Sequence, residues 1–266
     1  SWTPIGSAFK GYQGTFDGRK HTIRGLTVSS MEYAGLFACV DGGTVKNLIV
    51  KGSVSGTRMA GGIAAWLKNG ASILECGNEA DVRCGGGTSG GNSGGIAGCA
   101  GPNDGKNTIE RCYNAGSVAS EKQQYGDYAG GILGYDQGKA AITDCYNTGT
   151  VTGGNYAGGI RAYLNTLAGK ITNCYNTGLI SAGTTGAIAP SGKYDGENCY
   201  GLKNGDIVKD TLAEGETAQE LSQAELLAAL NGETGSSWKR DLTANGGYPI
   251  LSWQAVEVPA GTLGQA

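Results

Sequence analysis

Apolar and polar positions along most of this chain follow neither a helical period nor simple alternation; they recur in blocks. Ile109-Glu110-Arg111-Cys112-Tyr113-Asn114 returns as Ile142-Thr143-Asp144-Cys145-Tyr146-Asn147 and again as Ile171-Thr172-Asn173-Cys174-Tyr175-Asn176. Weaker copies run from Ile73 to Asn78 and from Val45 to Val50, with Leu48 in the cysteine place, and Asn198-Cys199-Tyr200 is a partial last copy. The column Leu48, Cys76, Cys112, Cys145, Cys174, Cys199 steps by 28, 36, 33, 29 and 25 residues. Each block continues into a small residue and then a β-branched one: Gly52/Val54, Ala80/Val82, Gly116/Val118, Gly149/Val151 and Gly178/Ile180. Each is preceded by a glycine-led strand such as Ala60-Gly61-Gly62-Ile63, Gly94-Gly95-Ile96, Ala129-Gly130-Gly131-Ile132 or Ala157-Gly158-Gly159-Ile160. Three short strands per repeat without helical period predict one turn of a parallel β-solenoid. One turn alone cannot bury its apolar face, but stacked turns align Ile on Ile, Cys on Cys and Val on Val. At the strand spacing of about 4.8 Å, five to seven turns make a rod of roughly 25–35 Å.

The ends of such a stack need caps. The segment from Gly14 to Val28 reads as a first, tighter coil. Composition shifts after about Asp206, where a Leu/Ala-rich helix is expected to stop at Asn231-Gly232. Two capping boxes compete for its start, Thr217-Ala218-Gln219-Glu220 and Ser222 to Glu225. The apolar tail around Trp238, Tyr248-Pro249-Ile250-Leu251 and Trp253 should pack beside that helix. The expected division is therefore residues 1–206 as repeats with the first coil, 207–254 as capping helix and tail, and 255–266 as a linker.

Composition narrows the chemistry. Glycine supplies 50 of 266 residues without a Gly-X-Y period, which excludes collagen. With 39% apolar residues and 13 tyrosines the chain can bury a core. A single histidine, His21, rules out multi-histidine metal sites, and any Ser-His-Asp or Cys-His arrangement would have to use it. Its place beside Arg19 and Lys20 in the first coil reads as a surface or cap residue. A net charge of −3 argues against nucleic acid. No apolar run reaches the ~18 residues of a membrane span, so no membrane insertion is expected. Ser1 opens no charged-then-apolar signal segment, so either none exists or the chain is a mature or excised fragment.

Cysteines in one column would sit about one strand spacing apart, slightly beyond the usual Cβ separation of a disulfide. Without a Cys-x-x-Cys pair, zinc is not expected, and the column reads as buried free thiols. A Cys84–Cys99 bridge stays open. Asn78, Asn114, Asn147 and Asn176 read as an amide ladder at a corner of the stack. The run Glu75–Arg111–Asp144 offers the only candidate catalysis: a base between carboxylates, as a polysaccharide lyase requires, against the simpler reading of a solvated charge ladder. Gly85 to Gly90 holds a lone G-x-G-x-x-G with no βαβ context, so no dinucleotide or other cofactor is expected. If the cysteines face inward, alternation turns Tyr113, Tyr146, Tyr175 and Tyr200 outward, where exposed rings could stack on sugars or meet a protein. Trp66, Tyr135 and Tyr163, three residues beyond their glycine-led apolar residue, form a second aromatic column. These seven residues are the candidate ligand-binding set.

The glycine-led strands, above all Gly95-Ile96-Ala97-Gly98 and Gly131-Ile132-Leu133-Gly134, resemble the GLUG motif of bacterial surface proteins, including the non-catalytic region of IgA-cleaving metallopeptidases. The flanks Phe16-Asp17-Gly18 to Gly25-Leu26 and Asn245-Gly246-Gly247-Tyr248-Pro249-Ile250-Leu251 are similar to those of such blocks. Ala38, Ala65 and Ala162 depart from the motif at its last glycine. The resemblance covers roughly residues 1–254. It implies an all-β, right-handed parallel β-helix, secreted or at the cell surface, with the C-terminal helix and tail as its cap. The function expected is a non-enzymatic adhesion or spacer module joined to other domains of the same polypeptide, with a host glycan or host surface protein as partner. A carbohydrate-active β-helix enzyme, a polysaccharide lyase or a glycosidase, is the alternative.

Overall fold

In the computed structural model the described residues are 1–85, 90–101, 106–121, 126–165, 169–190, 194–203, 205–210, 220–233 and 235–254. The repeats pair in parallel with equivalent positions opposite one another. Val45, Ile73, Ile109, Ile142 and Ile171 form one continuous register. Val54, Val82, Val118, Val151 and Ile180 form another. A second parallel sheet stacks Phe37–Asp41, Ala64–Lys68, Ala97–Ala100, Leu133–Asp136 and Arg161–Leu164. Side chains from both sheets share one buried apolar core. At about 1.5–3 kcal/mol for each fully buried aliphatic side chain, repetition of these columns drives the stack together. The cysteine column marks the levels: His21, Leu48, Cys76, Cys112, Cys145, Cys174 and Cys199. His21 stands in the register of this column on the first level and is exposed.

The bend before each level explains the cysteines. Asn47, Glu75, Arg111, Asp144, Asn173 and Asn198 all take left-handed backbone, with φ between 50° and 57°. Asn and Asp tolerate that conformation best, and they hold four of the six positions. The bend turns the carbonyl of the residue before it toward the next thiol. Cys76, Cys112, Cys145, Cys174 and Cys199 donate to Leu74, Glu110, Thr143, Thr172 and Glu197 oxygens at 3.2–3.4 Å. The column is thus a small apolar filler that also satisfies a buried acceptor. All eight cysteines are free and buried, so Cys84 and Cys99 are not bridged. Burial pushes the Cys84 thiol up to about 12.

At the opposite corner the asparagines form the expected ladder. Asn78, Asn114 and Asn147 each donate 2.7 Å to the next amide oxygen, ending at Asn176. Each also holds a carbonyl two residues on, from Ala80 to Gly178. The glycine pairs exist because this ladder fills the corner. A Cβ on Gly62, Gly95, Gly131 or Gly159 would collide with the side chain of Asn78, Asn114, Asn147 or Asn176.

Beyond Tyr200–Lys203 the chain turns back. Asp206–Lys209 pairs antiparallel with it, and Glu220–Leu221 adds to that pair. The helix Gln223–Asn231 follows, begun by the Ser222/Glu225 capping box and ended at Gly232 with φ 57°. Of the two boxes weighed, the second is used. Glu220 lies in a strand, and residues 217–219 lie outside the described residues, as does the linker expected at 255–266. A hairpin of Trp238–Lys239 with Ile250–Leu251 completes a strap along one side of the stack. Among the described residues no helix is long and apolar enough to cross a membrane.

Candidate functional site

Tyr113, Tyr146, Tyr175 and Tyr200 stand in register and face away from the core, as alternation predicts. Their rings stack, 5.3 Å apart at 11° for Tyr113–Tyr146 and 5.1 Å apart at 2° for Tyr146–Tyr175. They are nevertheless only 4%, 3%, 0% and 5% exposed, because the strap lies on them. Trp238 packs against Tyr146 and Tyr175, and Trp253 against Tyr113. Polar contacts finish the seal. Tyr146 Oη donates to Gln254 Oε1 at 3.1 Å, Asn245 Nδ2 donates to Tyr175 Oη at 2.6 Å, and Tyr175 Oη donates to the Pro249 oxygen. Burial pushes all three phenols far above their ordinary range. The expectation of an exposed tyrosine row is corrected: the rings point outward, but so broad an apolar strip is covered by the chain itself.

The second aromatic column remains at the surface. Trp66, Tyr135 and Tyr163 share a register with Cys39 and Cys99, and all three aromatics are half-buried. Tyr128 and Tyr156, in register with each other on the strands before the bend, join them. Tyr128 stacks on Tyr163 at 4.3 Å and 5°, and lies 5.2 Å from Tyr135. Tyr156 is 5.1 Å from Tyr163. Two successive turns thereby build a quartet of phenols across one bend. Within the same turn the Gly134 backbone lies close to its neighbours: a Cβ there would meet the Ser93 and Gly98 oxygens at 2.6 Å. Burial, then the neighbouring Tyr163, pushes the Tyr128 phenol up to about 12.

Toward the N-terminal end the same corner continues as Tyr33 stacked on Trp66 at 5.8 Å and 8°. Arg58 lies over Tyr33 at 5.7 Å, and Lys68 over Trp66 at 4.9 Å. Between the pair and the quartet the register holds Asn92 and the buried Cys99. Tyr33, Tyr128 and Tyr156 escape a reading centred on the glycine motif. A shared Tyr-Ala-Gly at residues 33–35, 128–130 and 156–158 is the signal that marks them.

The charge ladder is consumed by its neighbours. Arg111 Nε donates to Glu75 at 3.0 Å and pairs with Glu110 through Nη1. Asp144 accepts from Ser237 of the strap at 2.8 Å and is largely buried. These groups hold left-handed bends and the strap. Among the described residues no three His, Cys, Asp or Glu side chains gather as metal ligands. The glycine run at 86–89 lies outside the described residues.

Comparison with known proteins agrees with the repeat. The GLUG motif matches residues 125–152, which contain Tyr128, Tyr135 and the Gly131 corner. The fold is similar to the crystal structure of a candidate immunoglobulin A1 protease from Bacteroides ovatus, with a TM-score of 0.71. The two are 24% identical, over 96% of this chain and 82% of that one. No curated protein sequence matches the chain.

Proposed function

We propose that this GLUG-repeat domain, of the kind found in non-catalytic regions of IgA protease-like proteins, is a non-enzymatic adhesion module of a larger bacterial surface protein. Residues 1–206 form a right-handed parallel β-helix, 207–254 its strap, and 255–266 a linker toward other domains. Its partner is a host glycan or host surface protein, met through Tyr128, Tyr135, Tyr156 and Tyr163 with Tyr33 and Trp66 beyond. The observation that carries this reading is the contrast in coverage. One outward aromatic column is sealed by the strap, whereas the other keeps its rings half-open on consecutive turns. Rings with one apolar face and a phenolic hydroxyl suit both sugar stacking and protein hot spots.

The test is a glycan panel together with mucosal surface proteins, probed with the intact chain and with Tyr135→Ala/Tyr163→Ala. Binding that the double variant loses, with its melting temperature nearly kept, supports the module as an adhesin. Clean negatives across both panels would make it a spacer. Polysaccharide cleavage lost on Arg111→Ala would restore the enzyme alternative.

A further inference from the structure

The first coil carries a feature that the aromatic corner does not use. Arg19, Lys20, His21 and Arg24 are all exposed within six residues of the strand Thr15–Ala34. That strand pairs with Thr44–Gly61 along one edge. On its other edge, Trp2 N–H reaches the Thr27 oxygen, well away from the basic run. Arg19 and Lys20 both take left-handed backbone, φ 48° and 63°, which bulges the strand and pushes the two cations out at the corner. Among the described residues none of the four basic side chains is in an ion pair. The nearest carboxylate, Asp17, is engaged by Asn47 at 3.0 Å, by Lys46 at 3.7 Å and by the Arg19 backbone N–H at 2.9 Å.

The charge is segregated along the whole rod. The first sixty residues hold seven basic and three acidic side chains, a net of +4 in a chain whose total is −3. The sequence after residue 60 is therefore acidic, with a net of −7. A long, dense polyanion laid along the rod would be repelled by most of its length. A polyanion of lower charge density, crossing the end, meets only the positive coil.

We propose that Arg19, Lys20 and Arg24, with the His21 imidazole between them, bind an anionic polysaccharide whose sulfate or carboxylate groups cross the N-terminal end of the stack. The bulge keeps the run from Arg19 to Arg24 shorter than the roughly 17 Å that five extended steps of about 3.3 Å would span, so the site reads a few charged sugars. Attraction of this kind releases counterions and weakens steeply with salt. Charges on an open strand edge also discourage pairing between copies, and that role by itself requires no ligand.

The experiment uses the full chain against immobilised heparin, polygalacturonate and neutral dextran. Retention on a charged polymer at low salt, with elution at moderate salt and no retention on dextran, is expected. Heparin and polygalacturonate distinguish sulfate from carboxylate recognition. Arg19→Asn/Lys20→Asn/Arg24→Gln, in which Asn suits both left-handed positions, should lose at least tenfold in affinity while keeping its circular dichroism and melting temperature. Lys139→Asn, an exposed left-handed lysine on a distant turn, should bind as the parent does. Tyr135→Ala/Tyr163→Ala should also keep this binding, which separates the site from the aromatic one. No retention on either charged polymer, equal retention by the triple variant, or equally tight binding of a duplex oligonucleotide overturns the proposal.

Discussion

The two outward aromatic columns are built from the same repeat and end in opposite states. The Tyr113–Tyr146–Tyr175 ladder is flat, in register and sealed; the Tyr128–Tyr135–Tyr156–Tyr163 quartet is folded across a bend and half-open. A flat strip accepts a flat cover, and the strap supplies two indoles and several hydrogen bonds for it. Rings gathered across a corner already bury part of one another, so less apolar surface is left to demand a cover. Repetition therefore decides which side chains align, while a segment distant in sequence decides which of them meet solvent.

Mutations test that contrast, beginning with the strap. Trp238→Ala removes the indole over Tyr146 and Tyr175 and should cost about 3–5 kcal/mol, read by denaturant unfolding. A loss below about 1 kcal/mol would mean that the ladder stays closed without it. Gly131→Ala attacks the corner between the two columns. Its Cβ would collide with the Gly159 oxygen and crowd Asn147, so a loss of about 3 kcal/mol is expected. Tyr175→Phe leaves Asn245 and Pro249 without their phenolic partner and should cost about 1–3 kcal/mol. Tyr163→Phe at the open corner should cost less than about 0.5 kcal/mol. Equal losses from these two changes would erase the distinction.

Alkaline titration separates the same columns without mutation. Tyr128, raised from its ordinary 10.0 to about 12, contributes stability that is fully present below pH 10 and lost as pH climbs toward 12. The ladder phenols lie higher still. Tyrosinate absorbance should thus rise first from the exposed corner, and the ladder should ionise only as the strap detaches. A single step for all tyrosines would contradict the difference in burial. The smallest effect is expected at the thiols. Cys145→Ser keeps a donor for the Thr143 oxygen and should cost less than Cys145→Val, which removes that bond although the Arg111 N–H still holds the same oxygen at 3.0 Å.

Much of the stack was legible in the chain because its signals are local and repeated. The cysteine column, the asparagine ladder and the β-branched columns appear in the structure at the residues where spacing put them. The bend residues were legible only in part. Asn47, Asp144, Asn173 and Asn198 advertise left-handed backbone, but Glu75 and Arg111 between them suggested a charge ladder instead. Coverage of the tyrosines was not legible. It depends on Trp238 and Trp253, which lie 63 to 140 residues away from the rings they touch, and no periodicity connects them. The quartet was half legible: Tyr135 and Tyr163 follow the motif, while Tyr128 and Tyr156 reach them only through the bend.

The strap also changes how the rod would carry a mechanical load. Trp2 is anchored to Thr27 and Leu36 on the first level, whereas Trp253 donates to the Arg111 oxygen on the fourth. A pull applied between these two points runs through the first half of the stack. The levels of Cys174 and Cys199 hang beyond it until the contacts of Trp253 with Arg111 and of Gln254 with Tyr146 shear. The hairpin would then act as a fuse, giving way before the core columns of the last levels bear tension.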